Sequence, residues 1–172
     1  MNKYVVAQSK RVAITGITAA LYCIITLSIS PIAFGPIQFR LSELMVLLAF
    51  IDPIYCPGLV IGCAMANIFS PLGFIDVFVG SFATFIAVIG IRRSKGLFLA
   101  TLWPTLSCII IGLELSYIYS IEPALACVTV MVEEFTVVTI IGYPLFKWII
   151  KNNGLMHYLK VSKITQIQQS RY

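Results

Sequence analysis

Apolar positions along this chain run together in long blocks instead of recurring as one face of a surface helix. Six blocks stand out: Val12–Ser30, Leu41–Ile51, Ile54–Phe69, Phe74–Ile91, Leu97–Ser120 and Pro123–Phe146. Short polar or Pro/Gly-punctuated connections separate them. About 20 apolar residues, rising about 1.5 Å each, cross the roughly 30 Å of bilayer hydrocarbon, so the pattern predicts membrane-spanning helices. Leu41–Ile51 is too short to cross as an α-helix, at about 16 Å. It needs flanking residues, or a start inside a protein-lined cavity. The expected fold class is all-α, an integral membrane protein with six transmembrane helices.

Composition agrees. Hydrophobic residues make up 59% of the 172, and charged ones only 11%, against about a quarter in soluble domains. The first block exceeds the core of a signal peptide, and the loop after it, "SPIAFGPIQFR", holds no small-residue cleavage pattern. A retained helix is therefore expected.

Charge predicts the orientation. Lys3, Lys10 and Arg11 precede the first block, Arg92, Arg93 and Lys95 follow the fourth, and Lys147, Lys151, Lys160, Lys163 and Arg171 follow the sixth. With six spans all of these share one side, which the positive-inside rule makes cytoplasmic, together with both termini. Arg40 alone falls outside. The expected organisation is a cytoplasmic segment over residues 1–11, a six-helix membrane domain over 12–150 and a basic cytoplasmic tail over 151–172. The net charge of +5 is a topology signal with some attraction to anionic lipid, and it calls for no nucleic-acid partner.

Several chemistries are excluded or weakened. Cys23, Cys56, Cys63, Cys108 and Cys127 form no C-x-x-C pair and read as small apolar fillers between helices. The single His157 lies in the tail, which leaves no His-based metal or catalytic site. The chain carries no P-loop pattern, so pumping by ATP hydrolysis would need a partner. No cofactor, metal or catalytic residue is expected.

Polar residues inside the blocks carry the remaining information. Ser9, Ala13, Gly16 and Ala20 form a small-residue stripe on the first helix. Such a stripe lets another helix approach closely, either of the same chain or of a second membrane subunit. Asp76 opens a similar stripe with Gly80, Ala83 and Ala87, and a first-turn acid also suits the helix dipole. Trp103, Ser107, Glu114 and Tyr117 share one face of the fifth block, with Glu114 roughly 9 Å below the outer end. Thr129, Glu133 and Thr136 form a polar stripe on the sixth, which makes Glu133 the expected cavity residue. Glu134 shares its stripe with Cys127, Met131 and Val138. It is left to pair with another helix, to stay protonated or to share the cavity edge. A carboxylate in mid-membrane costs on the order of 2.5–3.5 kcal/mol on insertion scales and usually faces a cavity or a partner. The imbalance of acids over bases at this depth points to a ligand that brings donors or positive charge.

Two loops on the expected outer side can cover that cavity. One is Pro31–Arg40, followed by Glu43, with Arg40 and Glu43 spaced to pair on the first turn of the short helix. The other is "ANIFSPLGFID", in which Asn67 and Ser70 close one helix and Pro71-Leu72-Gly73 turns into the next.

The stretches "AALY", "SPIAFGPIQFRLSE" and "DPIYCPGLVIGCAMANIFSPLGFIDVFVGS", with the six-helix layout, resemble the queuosine-precursor transporter (QueT) family from roughly Val12 to Phe146. The resemblance implies the substrate-binding S component of an energy-coupling factor (ECF) importer. Such a component captures its substrate outside and docks on a transmembrane coupling protein that carries two ABC ATPase subunits. It then topples in the bilayer to deliver the substrate. Docking in such proteins uses an A-x-x-x-A-like motif of helix 1. Here Gly16 and Ala20 match it, with Ala13 one turn earlier, and Ile17 breaks the strict pattern. The implied substrates are 7-deazaguanines, such as the aminomethyl precursor of queuosine, or queuine. Glu114 and Glu133 then suit the guanine-like edge and an amine, with Asp76 as a substitute for either. Asn67 and Gln38 suit the remaining ring atoms, and Tyr117 or Phe39 suits the flat face. Rival readings are an S component for another vitamin or small nutrient, a proton-coupled permease, and a membrane enzyme using Glu114 and Glu133 as acid and base.

Overall fold

The computed structural model describes residues 3–34 and 39–161, with side chains from residue 8 onward. Gln38 therefore lies outside the described residues. All regular structure among them is helical: α1 (Lys3–Ser28), α2 (Ser30–Ala33), a 3₁₀ stretch Leu41–Leu47 continuing into α3 (Leu48–Ile51), a 3₁₀ turn Pro53–Tyr55 leading into α4 (Cys56–Asn67), α5 (Phe74–Arg93), α6 (Leu97–Tyr119), α7 (Pro123–Glu134), a π-helical stretch Phe135–Gly142, α8 (Tyr143–Lys151) and α9 (Asn153–Leu159). Four stretches are long and apolar enough to cross a membrane: Gln8–Ser28, Phe74–Arg93, Leu97–Tyr119 and the continuous Pro123–Lys151. Leu41–Ile51 and Pro53–Asn67 are shorter apolar helices. The six apolar blocks are thus six helical segments, of which four have spanning length.

The short segment gains length from its winding. Seven of its residues are 3₁₀, which rises about 2.0 Å per residue, so Leu41–Ile51 reaches about 20 Å. It also lies inside the bundle. The 3₁₀ stretch touches α1, α4, α5, α6 and the π stretch, and Val46, Leu47 and Ala49 have no exposed surface. Irregular backbone at membrane depth is tolerated where protein surrounds it.

Around this post the helices pack in chain order, α1 on α4, α4 on α5, α5 on α6 and α6 on α7. Small residues set the separations, as expected where packing rather than water drives association. A Cβ at Gly62 would stand 2.8 Å from the Tyr22 Cβ, and one at Gly112 would stand 2.5 Å from the Cys127 Cα. The outward face of α5 carries Phe74, Phe78, Phe82 and Phe85, all exposed. An exposed aromatic row of this kind suits a lipid solvent and not water.

The π stretch ends at Gly142, two residues before Pro144. Proline has no N–H for the carbonyl of Ile140, and in a regular helix its ring would press on that carbonyl. Widening the turn relieves the contact, as π segments commonly do. The last long helix therefore continues to Lys151 instead of ending at Phe146.

One end of the bundle gathers the basic residues. Arg11 lies beside Pro53, Ile54 and Pro57, and Arg92 and Arg93 lie beside Cys56 and Pro57. The Tyr55 hydroxyl donates to the Leu159 carbonyl at 3.0 Å, which brings α9 to the same end. The first part of the tail is thus a helix, begun by Asn152, whose side chain accepts from Gly154 and Leu155.

Candidate functional site

At the opposite end from that basic rim, the chain leaves α2 and enters the 3₁₀ stretch through Arg40. The backbone of Arg40 is extended, with φ −107° and ψ 99°, so its side chain leaves the first turn instead of lying along it. The expected Arg40–Glu43 pair is replaced for this reason. The guanidinium reaches Asp76 of α5, with Nη2 to Oδ2 at 3.5 Å, and Nε donates to the Ala33 carbonyl at 3.3 Å. Its Cζ stands 5.4 Å from the centre of the Phe34 ring. Arg40 and Asp76 are 5% and 0% exposed.

Glu43 turns to α1, where the Tyr22 hydroxyl donates to its Oε1. Thr26 extends this contact, donating to the Tyr22 carbonyl at 2.9 Å and lying 2.7 Å from the Ser42 hydroxyl. The α4–α5 turn supplies Asn67, fully buried. Its Nδ2 donates to the Asp76 carbonyl at 3.0 Å and lies 3.6 Å from the Cys63 sulfur. Gly80 is required here, since its missing Cβ would stand 2.3 Å from the Asn67 Nδ2. Gly73, at φ +69°, closes the same turn in the left-handed region open to glycine.

A cavity of about 20 Å³ lies against this network, lined by residues that include Arg40, Glu43, Thr84, Ser107, Cys108 and Glu134. Its size suits a single water and is far below the roughly 300–1,000 Å³ of sites that enclose small molecules. Several polar atoms here are buried without a hydrogen-bond partner: Oδ1 of Asn67, Oδ1 of Asp76, both carboxylate oxygens of Glu114 and Oε1 of Glu134. Glu114 is within electrostatic range of Asp76 and Arg40, and Glu134 within range of Glu43 and Arg40. One arginine and four carboxylates, from four different helical segments, thus share one buried region.

The expected residues divide accordingly. Arg40, Glu43, Asn67, Asp76 and Glu114 are brought together. Phe39 is partly buried and packs on the main core instead. Glu133 is half-buried, off the cavity lining. Tyr117 is 85% exposed. Of the pair Glu133 and Glu134, it is Glu134 that lines the cavity, one residue on from the polar stripe. The hydroxyls of Thr129 and Thr136 bond back to the Leu125 and Val132 carbonyls of their own helix, so they mark no cavity. The usable signal was the apolar spacing of Ala126, Val130, Val137 and Val138, the buried face on which Glu134 sits.

On α1 the stripe Ser9, Ala13, Gly16 and Ala20 is exposed, whereas Thr18, Ala19, Tyr22, Cys23 and Thr26 face the bundle. A larger groove of about 540 Å³ between α4 and α5 is almost wholly apolar, with Arg92 and Arg93 at its rim. It lacks the convergent polar groups that would orient a polar solute.

An all-helical bundle with lipid-type surfaces, four helices of spanning length and a buried cluster of charged side chains defines a multi-pass membrane protein. A sequence model of the QueT transporter family matches residues 12–151, and the chain belongs to that family. The queuosine precursor transporter QueT of Lactococcus lactis subsp. cremoris is similar to it, 31% identical over 136 residues that cover 69% of this chain and 80% of that protein. No solved structure matches the chain.

Proposed function

We propose that this transporter captures a queuosine precursor of the 7-deazaguanine type from outside the cell. It acts as the substrate-binding S component of an ECF importer and delivers the solute with a transmembrane coupling protein and two ABC ATPase subunits. The substrate class rests on the similar Lactococcus protein, named as a queuosine precursor transporter, and on the chemistry of the buried region. All six apolar segments belong to the membrane domain, with both termini cytoplasmic. The gathering of Arg11, Arg92 and Arg93 at one end supports that orientation.

The observation that carries the reading is the buried set Arg40, Glu43, Asp76, Glu114 and Glu134 beside Asn67, with carboxylate and amide oxygens left unpartnered. A guanine-like edge presents N–H donors side by side, and one carboxylate accepts two of them. Glu114, with both oxygens buried and free of partners, suits that edge. The Asn67 Oδ1 suits a further ring donor. The turn Ser70–Gly73 belongs to the outer cover that moves to admit the ligand. The exposed α1 stripe of Ser9, Ala13, Gly16 and Ala20 is the face offered to the coupling protein, since small residues permit close helix approach.

Mass spectrometry of small molecules that co-purify with the protein tests this reading. A 7-deazaguanine in the extract is the expected result. A vitamin in its place would assign the same machinery to another nutrient.

A further inference from the structure

We infer that the groove between α4 and α5 is a lipid site, which holds an acyl chain of an anionic phospholipid with its phosphate on Arg92 and Arg93. Such a site stands whichever solute the protein carries.

The groove exists because the two helices are held together at one end and drawn to other neighbours at the other. Near the α4–α5 turn they are tied. The Asn67 amide donates to the Asp76 carbonyl at 3.0 Å, and the Thr84 hydroxyl donates to the Cys63 sulfur at 3.2 Å. Towards the basic end, Gly58 and Gly62 seat α4 on α1. A Cβ at Gly58 would stand 2.7 Å from the Thr15 carbonyl oxygen, and one at Gly62 2.8 Å from the Tyr22 Cβ. Gly90 in turn seats α5 against the Trp103 ring of α6. The space left between them is about 540 Å³, walled by Val60 and Ile61 of α4 and by Phe85, Val88 and Ile89 of α5. Ile61 and Phe85 are 47% and 49% exposed, so the groove opens on the outer face of the bundle, where lipid lies.

Reach and charge select the occupant. From Phe85 to Arg93 the helix rises about 12 Å, close to the hydrocarbon depth of one leaflet, half of about 30 Å. At the rim stand Arg92 and Arg93, with Lys95 just beyond, all exposed. Asp52, the acid of this end, is buried and accepts from the Ile54 N–H at 3.0 Å. The exposed charge at the rim is therefore positive. Basic residues in the last turn of a helix also suit its dipole, but that alone leaves the apolar trough beneath them unexplained. A phospholipid satisfies both parts. Its phosphate takes charge-assisted bonds from the guanidinium groups, and its chain covers the apolar walls.

Native mass spectrometry of the purified full chain in detergent tests this, with phosphatidylglycerol and phosphatidylcholine of the same acyl chains added in turn. A one-to-one adduct with phosphatidylglycerol is expected, about 10-fold tighter than with the zwitterionic lipid. Arg92→Gln with Arg93→Gln should weaken it about 30-fold, the worth of two basic side chains at an anionic surface. Lys147→Gln with Lys151→Gln, outside the groove lining, should leave it unchanged. Ile61→Trp narrows the groove without touching a charge and should weaken the adduct as well. Glycerol phosphate, a headgroup without chains, should not displace the lipid. Equal adducts with the two lipids, or equal losses from the two charge pairs, would overturn the inference and leave only the general attraction of a basic end for anionic lipid. Displacement by glycerol phosphate would overturn it too, by making the rim a simple anion site. Should the arginine variants not fold, Ile61→Trp and the lipid ratio in the unmodified chain still decide.

Discussion

The Arg40 guanidinium and the Asp76 carboxylate meet at 3.5 Å, 36 residues apart in the chain and both buried. This pair ties the entrance of the central 3₁₀ stretch to the first turn of α5. Breaking a buried pair from one side leaves an uncompensated charge, at a cost of about 3–5 kcal/mol. Asp76→Asn should therefore lower stability by several kcal/mol, read as a fall in the unfolding midpoint in detergent. Replacing both residues with apolar side chains of similar volume should restore part of the stability but not substrate binding. An Asp76→Asn variant as stable as the parent would mean that the pair holds nothing together.

The Tyr22 hydroxyl donates to Glu43, and its side chain is fully buried. Tyr22→Phe keeps the packing and removes the hydroxyl. The buried carboxylate then loses its partner, for about 1–3 kcal/mol. Chemical unfolding of the two proteins side by side measures the difference.

Gly80→Ala tests the architecture of the α4–α5 turn. Its Cβ would fall 2.3 Å from the Asn67 Nδ2 and push the amide off the Asp76 carbonyl. A loss of about 1–3 kcal/mol is expected from that bond, with weakened substrate binding.

Gly16→Trp probes the α1 face. A Cβ there meets nothing within 4 Å, so the protein should fold and bind its substrate as before. Uptake by whole cells should fall sharply, because the indole blocks close approach of a partner helix. Loss of binding as well as uptake would make the stripe an internal surface.

Much of the fold was legible because lipid imposes simple rules. Apolar blocks marked the helical segments, and charge marked the basic end. The short block Leu41–Ile51 was recognised as abnormal. Its 3₁₀ winding was not, since that depends on five neighbouring segments converging on it. The π stretch could have been suspected from Pro144 but not placed.

The residue types that gather in the buried region were legible, their pairings less so. Arg40, Glu43, Asn67, Asp76 and Glu114 were singled out as costly or misplaced polar groups, and the fold collects them. Which acid Arg40 meets was not readable, because the answer lies in the extended backbone at Arg40. The choice between Glu133 and Glu134 turned on helix rotation. In a membrane helix a threonine bonded to its own backbone can face lipid, so polar neighbours are a weaker guide than buried apolar ones.

The most direct test is a calorimetric titration of the purified chain, without ATP or partner proteins, with 7-aminomethyl-7-deazaguanine. Saturable binding at one site, weakened by about 10-fold or more in Glu114→Gln, is the expected result. No heat of binding from that ligand, alongside tight binding of an unrelated vitamin, would contradict it.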